Sequence, residues 1–140
     1  MIKDHRNENH RYVLGGEKYQ IEDGQIVAFN DKYPAANHHI LVIPKRHIKN
    51  INGFTKEDVE LVKKMKEIGF RLISEKIGTD ESPITPDKYL MGFGSPPFNS
   101  VLHVHMHVLS KPVTCSWPRS MAFGNWIFRN VDEVIAKLSS

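Results

Sequence analysis

Residues 103 to 109 read HVHMHVL, followed by Ser110, Lys111 and Pro112. Three imidazoles recur at every second position, with only Val104 and Met106 between them. On a β-strand, successive side chains leave opposite faces. His103, His105 and His107 then share one face, and Val104, Met106 and Val108 share the other. Same-face neighbours would stand roughly 6–7 Å apart, at ~3.3 Å rise per residue. On a helix the same three positions would spread around the cylinder and build no common site. A row of imidazoles suits two chemistries. One is zinc or copper binding, with neutral rings as ligands. The other is nucleophilic catalysis at phosphorus, because imidazole attacks and then leaves again readily. Core histidines tied up by hydrogen bonds are the structural alternative, and strict alternation of three rings in an apolar run weighs against it.

A support for such a site must come from one domain. The chain has 140 residues, enough for one hydrophobic core and too few for two. At 40% hydrophobic and 25% charged residues, the composition is that of a soluble globular protein. Lys and Arg total 19 against 16 Asp and Glu, a net charge of +3. That mild excess favours an anionic ligand such as a nucleotide, but lacks the dense basic patch of a nucleic-acid binder. The single Cys115 rules out an internal disulfide and a cysteine-based zinc site, and fits a reducing compartment. No apolar run approaches the roughly 18–20 residues of a membrane span, and MIKDHRNENH has no signal-peptide core. These features place the protein in the cytoplasm, with the nucleus as a second location.

The expected elements follow from periodicity. KYQIEDGQIVAF reads as a hairpin turning at Glu22-Asp23-Gly24, and HHILVIP as a strand ended by Pro44. Within TKEDVELVKKMKEIGFRLISEKIG the period changes to that of a helix, with Leu61, Met65, Ile68 and Leu72 on one stripe and Val62, Gly69 and Ile73 widening it. Thr55 and Asp58 form a capping-box pattern, and Gly78 is placed to stop the helix. KYLMGFG and LHVHMHVLS read as strands, NWIF as a short strand, and VDEVIAKL as a helix capped by Asn130 with Glu133 reaching back. The order β-β-β-α-β-β-α predicts one α+β domain over 1–140, mostly antiparallel, packed by one long helix and a C-terminal helix. Residues 1–15 are expected to be loosely held, and 113–140 to form a C-terminal extension.

HVHMHVL resembles the signature of the histidine triad (HIT) superfamily, in which three histidines alternate with apolar residues. QIVAFNDKYPAANHHILVIPKRHI and the SPPFNS segment before the triad extend that resemblance toward the Hint branch, with a leaning toward aprataxin. It spans about residues 19 to 112. The resemblance implies a nucleotide hydrolase of adenosine 5′-monophosphoramidase type, acting through a nucleotidyl-histidine, with no metal or other cofactor. It implies His105 as nucleophile, oriented by the backbone carbonyl of His103. It further implies His107 beside the phosphate and leaving group, His103 as an orienting member, and His39 as the fourth histidine. Asp31 would hold the ribose with Asn30 beside it, and Phe29 and Ile26 would form part of the base wall, with core packing as an equally open role. Asn99 and Ser100 would contact the phosphate. The implied partner is a purine nucleotide resembling AMP, in a homodimer, without nucleic acid or membrane.

The chain departs from the branch in places. Gly94 stands where relatives commonly carry histidine, the N-terminal Cys-x-x-Cys is missing, and Asn30 replaces a frequent histidine. These departures bear on the leaving group and not on the attacking ring. Aprataxin-like deadenylation of nucleic-acid ends, dinucleoside polyphosphate hydrolysis, and nucleotide or metal binding without turnover are the rival functions. Lys45, Arg46 and His47 read as a solvated turn, Lys63, Lys64 and Lys66 as soluble surface, and Trp117 and Trp126 as packing residues.

Overall fold

The computed structural model describes residues 2–3, 11–14, 17–20, 24–79, 84–96 and 102–140. The segment 55–78 folds as its periodicity requires. The Thr55 amide donates to Asp58 Oδ2 at 2.8 Å, closing the capping box, and a 3₁₀ turn at Lys56–Asp58 leads into helix α1, Val59–Ile77. The Asp58 carboxylate is buried and bonded to Arg46. Burial opposes its ionisation, yet the Arg46 guanidinium and the Thr55 amide hold its pKa below the usual carboxylate value. Arg46 is therefore a structural ion-pair partner and not only part of a solvated turn. Gly78 ends α1, its amide bonded to the Ser74 carbonyl at 2.8 Å.

Helix α1 buries Val62, Met65, Ile68, Gly69 and Ile73, while Leu61 and Leu72 lie at the margins of that face. Opposite it stands a five-stranded antiparallel sheet. Its strands are β4 (Ile26–Asn30), β5 (His39–Pro44), β6 (Tyr89–Gly94), β7 (Met106–Ser110) and β8 (Phe128–Asn130), in the order β4-β5-β7-β6-β8. Ile26 and Ala28, Ile40 and Val42, Met91 and Phe93, and Met106 and Val108 turn toward the helix. Fully burying side chains of this size contributes about 1.5–3 kcal/mol each. A Cβ on Gly69 would fall 2.9 Å from both Met106 and Val108, so glycine lets α1 settle directly on the strand that carries the histidines. The chain is thus a single α+β domain, as the element order predicts.

Four expectations need correction. The hairpin over 18–29 does not form: β3 (Glu17–Gln20) pairs with β2 (Arg11–Leu14), which also pairs with β1 (Ile2–Lys3), and β4 pairs with β5. HILVIP supplies Ile40 and Val42, which complete the core beside Ile26 and Ala28. The triad strand begins at Met106 and not at Leu102, because the β5–β7 ladder runs out at Val42–Met106, two residues before Pro44. Val104 nevertheless stays in the core, its amide bonded to the Ile48 carbonyl at 2.6 Å. The last strand starts at Phe128, with NWI outside it. Helix α2, Val131–Ser139, is capped as expected by Asn130, whose Oδ1 accepts from the Asp132 amide. Glu133 lies 4.0 Å from Arg129 instead of reaching back. Among the described residues, no helix is long and apolar enough to cross a membrane.

β6 and β8 approach closely at Gly92. An added Cβ would lie 2.2 Å from the Arg129 carbonyl oxygen and 2.8 Å from the Phe128 ring. Gly92→Ala should therefore weaken the β6–β8 pairing and lower stability by about 1–3 kcal/mol, the usual overpacking cost. Urea unfolding measures this, and an unchanged midpoint would contradict the pairing.

Candidate active site

Sheet register brings the fourth histidine to the triad. Leu41 pairs with His107 across β5 and β7, and His39 pairs with Leu109. His39 and His107 are thus diagonal neighbours on one face, close enough for their rings to meet. His39 Nε2 and His107 Nδ1 are 2.9 Å apart, and His39 is 2% exposed. On its other side, His39 Nδ1 accepts the Ala35 amide proton at 2.9 Å. An amide can only donate, so Nδ1 of His39 holds a lone pair and its proton is on Nε2. That proton faces Nδ1 of His107, which places the proton of a neutral His107 on Nε2.

His105 is set by an opposite rule. Its Nδ1 lies 2.9 Å from the His103 carbonyl oxygen, which can only accept. The Nδ1 carries the proton and Nε2 carries the lone pair. The rings of His105 and His107 have centroids 4.8 Å apart, so a basic nitrogen and an N–H donor stand side by side. His103 turns elsewhere. Its Nε2 donates to the Pro44 carbonyl at 2.9 Å and its ring packs edgewise on His47, 5.1 Å away. Because the ladder ends at Met106, both His103 and His105 lie outside it, and three evenly projecting rings are not formed. Two rings face the cleft, and the third anchors the turn before them.

Charge in this cluster is suppressed. Burial pushes the pKa of His39 down to about 4, the Asp31 carboxylate opposes that fall, and Arg119 and His105 add to it. His107 lies well below its ordinary value, again from burial first and then from His105, His39 and Arg119. Both rings are neutral at pH 7.

These groups open into a cleft of about 450 Å³. Asp31, Leu41, His105 and His107 line one side, and Arg119, Phe123 and Phe128 line another. One Asp31 oxygen accepts the Tyr33 amide at 2.8 Å, and the other lies 3.5 Å from His39 Nε2. Of the expected nucleotide residues, Phe29 is buried on the cleft-side face behind Leu41 in a cluster with Val27 and Ile43. Ile26 is not beside it. Strand parity sends Ile26 into the core beneath α1, the packing role left open for it above. Asn30 ends β4, half-buried, away from the cleft lining. Asn99 and Ser100 lie outside the described residues.

The family model described as "Scavenger mRNA decapping enzyme C-term binding" matches residues 2–121. The chain is 34% identical over 127 residues to the adenosine 5′-monophosphoramidase HINT3 of Xenopus tropicalis, across 89% of this chain and 80% of that protein. It is 31% identical over 124 residues to the mouse (Mus musculus) adenosine 5′-monophosphoramidase HINT3, across 87% of this chain and 72% of that one. A HIT family hydrolase from Legionella pneumophila Philadelphia 1 shares the fold with a TM-score of 0.56 and 30% identity, covering 70% of this chain and 83% of that chain. The chain belongs to the HIT family.

Beyond the family motif, the sequence reading missed the C-terminal wall. The 3₁₀ turn Arg119–Phe123 sets the Phe123 ring edge-on to His39 and His107, with centroids at 5.9 and 5.5 Å. Arg119 donates to the Tyr33 carbonyl at 2.5 Å, tying this turn to the segment that follows Asp31. RSMAF has no periodicity to reveal such a role. Trp117 and Trp126, expected to pack, are 75% and 90% exposed.

A metal reading can be tested on the same atoms. Asp31, His39 and His107 each place a ligand atom within 4.8 Å of the others. Two nitrogens bound tetrahedrally to zinc at 2.0–2.1 Å would stand about 3.3 Å apart. The observed 2.9 Å fits a shared proton better than a shared ion.

A lowered histidine pKa makes folding sensitive to acid. The unfolded His39 titrates near 6.5 and the folded one near 4, so the unfolded chain binds more protons between these values. The stability from keeping His39 neutral is fully present above pH 6.5 and is lost as pH falls toward 4. About 2 kcal/mol should disappear between pH 7 and 5, above the range in which most carboxylates titrate. Urea titrations of wild type and His39→Gln at both pH values measure it. Equal slopes for the two proteins would contradict the assignment.

Proposed function

We propose that the chain hydrolyses nucleoside 5′-phosphoramidates, with AMP-amides as the substrate class, through a covalent nucleotidyl-His105. The observation that carries this reading is the fixed tautomer of His105, whose Nε2 lone pair stands beside the His107 N–H at the floor of the cleft. The HINT3 relatives are named adenosine 5′-monophosphoramidases, which supports the same chemistry.

In this reading, Nε2 of His105 attacks the α-phosphorus as the P–N bond breaks and its electron pair goes to the departing nitrogen. His107 donates a hydrogen bond to a phosphoryl oxygen. A phosphoryl anion against His107 also raises that ring's proton affinity. The proton taken up with substrate is then available to the leaving amine. Water attacks phosphorus next and gives a proton to His107, now neutral again, while the P–Nε2 bond breaks, its electron pair returns to His105 and AMP departs. Asp31 holds the ribose hydroxyls, since a carboxylate offers about four acceptor sites and the Tyr33 amide occupies one. Leu41 supplies apolar contact in place of the buried Phe29.

With a metal-free, chelator-treated sample, wild type should release AMP from an AMP-amide. His105→Ala should lose more than about a thousandfold in kcat, as expected when a nucleophile is removed. His107→Ala should lose about 10²–10⁴-fold while AMP affinity changes far less. Full activity in His105→Ala, or no turnover by the chelated wild type, would sink the proposal.

A further inference from the structure

The cleft has one permanent cation among its described lining residues, Arg119, and one carboxylate, Asp31. The two differ in depth. The floor is made by half-buried His105 and His107 over a buried His39, whereas Arg119 is exposed at the mouth. Its guanidinium is held there by the bond to the Tyr33 carbonyl, which uses one of its five N–H donors. The rest of the turn is fixed by Phe123 against the two imidazoles. Arg119 therefore projects from a packed wall, and the donors it has left form the fork that fits carboxylate and phosphate.

An α-phosphoryl group attacked by His105 sits at the floor, where His107 already offers an N–H. Arg119 is exposed where the imidazoles are half-buried, so its outward donors suit an anion on the group attached to phosphorus. We propose that Arg119 binds an anionic substituent, a carboxylate or a phosphate, on the leaving group, so that the preferred substrates are nucleotidyl amides of amines bearing their own negative charge. This rests on the reading that His105 cleaves P–N bonds, and it adds the class of amine.

The test uses two amides of AMP matched in length, one of propylamine and one of β-alanine, which differ by a terminal carboxylate. In wild type, kcat/KM should favour the β-alanine amide. In Arg119→Gln, the ratio between the two should fall at least about tenfold, the scale of one lost charge-assisted hydrogen bond. Arg119→Lys, which keeps the charge and loses the fork, should retain part of the preference. A parallel calorimetric titration with AMP and ADP reads the same charge without turnover, and Arg119→Gln should weaken ADP about tenfold more than AMP. Equal losses on both members of each pair would place Arg119 on the α-phosphate or show only a loosened turn, and either result overturns the proposal. Unchanged ratios overturn it too. Failure of the phosphoramidase reading looks different: neither amide would turn over, while the AMP and ADP titrations would still report on Arg119.

Discussion

The Ala35 amide donates to Nδ1 of His39, and because an amide nitrogen cannot accept, the proton of that imidazole is forced to Nε2. The next ring must then present a lone pair at Nδ1 and keep its own proton on the side away from His39. One backbone group, four residues before His39, thereby decides what His107 offers to a ligand. The His103 carbonyl makes the opposite choice for His105 and exposes a basic nitrogen. Two neighbouring rings of the same residue type acquire different roles from two main-chain groups of opposite character. Burial completes the arrangement by holding His39 and His107 neutral, so that the proton order survives at ordinary pH.

That order depends on rigidity elsewhere. The His39–His107 contact exists only while β5 and β7 keep their register, and a slip of one residue would turn either ring into the core. The register is held by Ile40, Val42, Met106 and Val108 beneath α1, where Gly69 permits the helix to approach the strand. Pro44 sits at the end of β5 and the ladder to β7 stops short of it, which leaves the backbone at residues 103 to 105 able to turn. The turn lets the His105 ring reach back to its own upstream carbonyl. The two arrangements that set the protons are therefore consequences of how one strand is held and where its pairing ends.

Much of this was legible in the sequence. Period-2 alternation marked the histidine run, a 3.6-residue period marked α1, and Thr55 with Asp58 marked its start. Strand parity alone also separates Ile26 from Phe29 and decides for core packing between the two roles left open for Ile26. What sequence could not show was pairing between distant segments. That β3 pairs with β2 and not with β4 is a matter of pairing between segments, which local turn chemistry does not reveal. Arg119 and Phe123 enter the cleft through tertiary packing of a short 3₁₀ turn with no periodic signature. His103 resembles its two neighbours in sequence and differs through its tertiary partners, the Pro44 carbonyl and the His47 ring.

Nitrogen-15 NMR of the imidazoles in the ligand-free protein at pH 7.5 tests the central claim most directly. The account predicts a protonated Nδ1 with a lone pair on Nε2 for His105, and protonated Nε2 for both His39 and His107. Nε2–H on His105, or an imidazolium at His39 or His107, would contradict it.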